Sequence, residues 1–135
     1  GLRLPQVSKA DIARIKLFDD EVYLHQVVAK TAYGMERYPD LGDAFASFKE
    51  AEKPEWRGHF HVPIFLAELD GFTTTRPAVE QFLARQAKNS VTDHLEVETY
   101  TWDVLPEEFR RDDVVTNIVK EMRWAQQQLG NGSTP

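Results

Sequence analysis

The strongest constraint on the fold is an alternation along the chain. Three β-rich strings, residues 21–29 (EVYLHQVVA), 57–65 (RGHFHVPIF) and 94–102 (HLEVETYTW), are separated by segments of helical period. That order is the mark of βα units on a largely parallel sheet. Ser8-Lys9-Ala10-Asp11 has the spacing of a capping box, followed by Ile12, Ile15 and Leu17, and predicts a helix near 9–18. Tyr38-Pro39-Asp40 is a turn signal, after which Leu41, Ala44, Phe45 and Phe48 predict a second helix within 40–51, and Pro77 with Val79, Phe82, Leu83 and Ala87 predicts a third over 76–88. Pro106-Glu107-Glu108 opens a last helical stretch, lined by Val115, Ile118, Val119 and Met122 and closed near Leu129-Gly130.

A closed (β/α)₈ barrel needs about 250 residues, so a chain of 135 is expected to form only a partial one, with about three mostly parallel strands alternating with helices. Residues 1–130 are read as this one domain and 131–135 as a tail. Gly1 followed by Leu2-Arg3-Leu4-Pro5 reads like the end of a strand, which raises the expectation of a piece of a longer protein.

Composition narrows the partners. The 16 Lys and Arg against 22 Asp and Glu leave a net charge of −6, without the basic footprint that phosphate backbones select, so nucleic acid is not expected. The longest apolar run, Val62 to Ala67, is far short of the ~20 residues of a spanning helix, and residues 1–20 hold no secretory apolar region. The absence of cysteine excludes disulfides, thiolate metal sites and thiol nucleophiles, and with the missing signal it favours the cytoplasm. Any metal must therefore be held by histidine and carboxylate.

Alternation splits each string into two faces. Arg57, His59, His61 and Pro63 share one; His94, Glu96, Glu98, Tyr100 and Trp102 share another; Tyr23, His25 and Val27 share a third. If the apolar faces pack under helices, the remaining ones gather His25, His59, His61, Glu96 and Glu98, a set suited to Zn²⁺, Mn²⁺ or Fe²⁺. The x-separated histidines stand about 7 Å apart along a strand, close enough to share an ion. The same pattern also describes a half-exposed antiparallel strand whose histidines bind nothing. Tyr100, Trp102 and Trp56 have the shape to stack on a sugar ring, although core packing is the commoner use of such residues. Arg57 is a candidate for phosphate or for an ordinary ion pair. The sequence contains no Gly-rich phosphate loop, Gly-x-Ser-x-Gly elbow or HExxH motif.

Three strings carry a family likeness: Tyr23-Leu24-His25-Gln26-Val27, His59-Phe60-His61-Val62-Pro63-Ile64-Phe65, and the run from His94 to Pro106 (HLEVETYTWDVLP). In this order they resemble the C-terminal part of EboE-like metabolite traffic proteins, of the xylose-isomerase-like TIM-barrel superfamily of sugar phosphate isomerases and epimerases. The resemblance implies a divalent metal (Zn, Mn or Mg) held by Glu98, which matches a usual ligand of the last strand, and by His61 and His59. It implies a small polar metabolite or sugar as substrate. On this reading Glu96 is the nearby candidate base, His25 and Tyr100 orient substrate, Trp102 forms an apolar wall and Arg57 binds it from the strand entrance.

The family's earlier glutamate ligand and Asp-x-x-His pair have no counterpart in the sequence, so isomerase or epimerase chemistry is expected of a parent protein and not of this chain alone. Two rival expectations stand beside it: a non-catalytic metabolite-binding or trafficking module, and a fragment that self-associates through exposed strand edges.

Overall fold

The computed structural model describes residues 1–19, 22–98 and 113–131. They fall into two compact units, one of residues 1–62 with 68–74, the other of residues 63–67 with the chain from Thr75 onward.

The first unit is built on a six-stranded sheet: β1 (Leu2–Leu4), β2 (Val27–Thr31), β3 (Gly34–Tyr38), β4 (Glu55–Gly58), β5 (Glu68–Leu69) and β6 (Phe72–Thr74), in the spatial order β3-β2-β4-β1-β6-β5. Every pairing is antiparallel. This overturns the expected partial (β/α) barrel of mostly parallel strands. The physical reason lies in the strands' alternation. Leu2, Leu4, Val27, Ala29, Trp56, Phe72 and Thr74 are buried, whereas Arg3, Val28, Lys30, Glu55, Arg57 and Thr73 between them are partly or fully exposed. One wet face is characteristic of antiparallel sheets; the strands of a parallel sheet are covered on both faces and read as continuous apolar runs. Two hairpins supply the local pairing, β2 with β3 around Ala32-Tyr33 and β5 with β6 around Asp70-Gly71. Asp70 and Gly71 both take positive φ, 47° and 72°, as a two-residue turn matched to strand twist demands.

Two short helices cover the apolar face. In α1 (Lys9–Ile15) the expected capping box is present: the Ser8 hydroxyl accepts from the Asp11 N–H and the Asp11 carboxylate accepts from the Ser8 N–H. A 3-10 turn over Lys16–Phe18 follows and delivers Phe18 edge-on to Phe60 and Phe72, at 5.8 and 6.5 Å between ring centres. Helix α2 (Leu41–Ser47), preceded by the expected turn at Tyr38-Pro39-Asp40, buries Leu41 and Ala44. Phe45 and Phe48 flank Trp56 at 6.2 and 5.8 Å. Trp56 is thus a core residue, 2% exposed, and offers no sugar platform.

On the wet face Arg3 and Arg57 lie directly opposite each other on β1 and β4, a repulsive arrangement by itself. Glu55 resolves it. Its carboxylate accepts from Arg3 Nε and Nη2 at 3.1 and 2.8 Å and from Arg57 Nε at 3.1 Å. The Arg3 hydrogen bonds, aided by Arg57, hold the Glu55 carboxyl near pKa 2, well below its ordinary 4.5. A depressed carboxyl stabilises the fold fully above its ordinary pKa, and that contribution is lost as pH falls toward the depressed value. With both arginines solvent-accessible, Glu55→Gln is expected to cost only about 1–2 kcal/mol at pH 7. In urea unfolding the difference between wild type and variant should shrink as pH drops from 4.5 toward 2. A pH-independent difference would count against the cluster.

Edge strand β3 exposes Glu36 and Arg37, and edge strand β5 has two residues. Charged and very short edges are the usual devices against edge-to-edge pairing, so the strand edges lend no support to self-association.

In the second unit α3 (Arg76–Lys88) matches the predicted helix, with Pro77 in its first turn, and α4 (Val114–Asn131) packs with it. Asp113 opens α4 by accepting from the Thr116 N–H and hydroxyl at 3.0 and 2.6 Å. Glu121 accepts from the Ile64 N–H at 2.9 Å, while Arg76 donates to the Phe65 carbonyl at 2.9 Å and to Glu80 at 2.7 Å. Burial pushes the Glu121 carboxyl up, against the Ile64 bond that lowers it. The strand predicted over 94–102 is not present over residues 94–98, and its remainder lies outside the described residues. No helix among the described residues is long and apolar enough to cross a membrane.

Candidate functional site

The histidines of the first two strings meet where regular pairing between β2 and β4 ends. Those strands are in register at Val27 opposite Gly58, and the chain keeps that register one step further, with the His59 N–H donating to the Gln26 carbonyl at 2.8 Å. Residues 23–26 therefore run beside residues 59–61. The consequence is a gathering that neither string could form alone. His25 lies against Phe60 with ring centres 4.9 Å apart, and Tyr23 faces His61 at 6.5 Å.

His59 and His61 are themselves 5.2 Å apart between ring centres, tilted by 36°. Strand β4 ends at Gly58, so this pair stands just past the strand and does not occupy one face of it, as the alternation argument requires. His59 is exposed and His61 half-buried. His25 is different. At 3% exposed it is a core residue, which limits any direct part in orienting a soluble substrate.

Two aspartates join His25. Its backbone N–H donates to Asp40 Oδ1 at 2.8 Å, and one ligand atom from each of Asp19, His25 and Asp40 lies within 4.8 Å of the others. Asp19 follows the 3-10 turn after α1, and Asp40 is the N-cap residue of α2. Neither is among the residues that the sequence singles out: Tyr38-Pro39-Asp40 reads as a turn, and Asp19 falls between the helix predicted near 9–18 and the string 21–29. Nothing in a one-dimensional pattern joins positions 19, 25 and 40.

The remaining candidates sit elsewhere. Arg57 is engaged with Glu55 on the wet face of the sheet. Glu96 and Glu98 belong to the second unit, in a segment without regular structure, and both are exposed. Glu96 pairs with His94 Nε2 at 2.7 Å, both side chains more than three-quarters exposed. Tyr100 and Trp102 lie outside the described residues. The structure thus brings together Tyr23, His25, His59 and His61, and adds Asp19 and Asp40.

No family model, curated protein or solved structure matches the chain.

Proposed function

We propose that this chain binds a small polar metabolite with the help of a divalent cation held at His59 and His61, as a segment of an EboE-like protein concerned with secondary-metabolite processing. The observation that carries this reading is the spacing of the two rings. An ion about 2.1 Å from an imidazole nitrogen is about 3.2 Å from the ring centre, and two such rings at the tetrahedral angle have centres roughly 5.2 Å apart. The separation of 5.2 Å between the ring centres of His59 and His61 equals that spacing. The antiparallel sheet withdraws the barrel from the family likeness; the likeness of the three strings remains, and the proposal rests on it only for the class of metabolite.

Two protein ligands leave positions for a carboxylate, water or the metabolite's own oxygens. A bound cation would polarise a sugar-like hydroxyl or carbonyl. Isomerisation or epimerisation, the chemistry the family likeness implies, is the second reading.

Zinc titration by calorimetry tests the cation. His59→Ala with His61→Ala is expected to remove one equivalent of bound Zn²⁺ and, in ligand-observed NMR, the metal-dependent binding of sugars. Unchanged zinc stoichiometry and affinity in the double variant would overturn the proposal.

A further inference from the structure

We infer that Asp19, His25 and Asp40 form a second divalent-cation site, distinct from the His59–His61 pair, which ties the start of α2 and the approach to β2 to the turn after α1. One donor atom from each residue lies within 4.8 Å of the other two. Donors around a tetrahedral ion stand about 3.4 Å apart, given bonds of roughly 2.0–2.2 Å. The cluster is thus open by little more than an ångström, a distance that rotation of the two carboxylates covers.

Three further features favour a cation here over a fortuitous cluster. The donors are of mixed type, two carboxylates and an imidazole, which is the chemistry of Zn²⁺, Mn²⁺ or Fe²⁺ and not of a plain acidic surface patch. The imidazole is 3% exposed and its ring is held against Phe60, so its direction is fixed before any ion arrives. Asp40 is oriented as well, because Oδ1 receives the His25 N–H at 2.8 Å, the kind of supporting hydrogen bond that aims a ligating carboxylate. Charge points the same way: the two carboxylates together carry −2, which a dication balances. Asp19, the exposed member, faces water that could fill the remaining coordination positions.

The three ligands come from separate segments, 6 and 15 residues apart, and the longer interval contains the whole β2–β3 hairpin. An ion bound only by the folded chain stabilises it by mass action, so its effect should appear in thermal unfolding as well as in binding.

Asp19→Asn and Asp40→Asn are the discriminating variants. Asparagine at position 40 keeps an oxygen for the His25 backbone N–H, and the Asp40 side chain makes no cap hydrogen bond to lose, so the fold is preserved while the charged ligand is lost. In the His59→Ala, His61→Ala background, which removes the other proposed site, one equivalent of Mn²⁺ should still bind. Pulsed electron paramagnetic resonance should show coupling of that Mn²⁺ to an imidazole nitrogen. Adding either asparagine should weaken Mn²⁺ binding roughly 100-fold or more, since even outer partners of metal ligands are worth 10–100-fold. It should also abolish the rise in melting temperature that Mn²⁺ produces, with circular dichroism in EDTA unchanged.

Mn²⁺ binding that survives both substitutions, or lacks nitrogen coupling, overturns the site. So does a variant melting lower in EDTA with metal affinity intact, the outcome expected if His25 is an imidazolium bridging two carboxylates. A metal stoichiometry that the His59→Ala, His61→Ala pair leaves unchanged, with binding still lost on the asparagine substitutions, would strike the preceding proposal and leave this one standing.

Discussion

Trp56→Ala is expected to destabilise the first unit by about 3–5 kcal/mol, the usual range for deleting a buried aromatic. Trp56 lies on β4, between β1 at Leu4 and β2 at Ala29, so its indole is anchored by strands on both sides. Phe45, in α2, and Phe48, at its C-cap, close over it. Alanine would leave both phenyl rings facing a void that α2, only two turns long, can fill only by shifting. Since whole domains are stable by roughly 5–15 kcal/mol, the urea midpoint should fall by more than 1 M. Trp56→Phe, which keeps an aromatic plate between the two rings, should recover at least half of the loss. A cost below about 1 kcal/mol for alanine would mean that Trp56 is not the keystone of the sheet–helix contact.

Gly58→Ala is the second large effect, and it reaches the candidate site. A Cβ at position 58 would stand 2.5 Å from Phe60 Cε2 and 3.1 Å from Cδ2. The Phe60 ring cannot simply swing aside, being 4% exposed and held between Phe18 and His25. The added methyl therefore displaces the ring within a closed contact, at an expected cost of about 1–3 kcal/mol for overpacking. The resonances of His25 and Phe18 should move together in NMR spectra. In a Phe60→Leu background the same substitution should cost less than half as much, because the smaller side chain yields; equal costs in both backgrounds would show that the ring is not the obstacle.

These two positions also show how much of the fold could be read in advance. The capping box at Ser8 and Asp11, the helix begun by Pro77, and the turn at Tyr38-Pro39-Asp40 depend on neighbours within four residues, and all appear as expected. Leu2-Arg3-Leu4 is indeed a strand. Asp70-Gly71 is equally local: an Asp-Gly dipeptide is a strong hairpin signal, and two positive φ values sit there. The error lay in the direction of the strands. Strand–helix–strand order suggests parallel crossovers, yet α1 and α2 span seven residues each and cover one face, and the polar positions along β1, β2 and β4 needed water on the other.

The site divides in the same way. The sequence by itself determined that any metal must rest on histidine and carboxylate, and that His59-x-His61 was the densest place to look. It placed His25 on a face open to substrate, because strand alternation was extended across residues that lie before β2 begins at Val27. Only the tertiary structure decided that residues 23–26 lie beside 59–61, that His25 is buried against Phe60, and that Asp19 and Asp40 converge on it. The physical reason is range. Caps, turns and periodicity are set within a few residues, whereas a site drawn from positions 19, 25, 40, 59 and 61 exists only after strand register and helix placement have brought distant segments together.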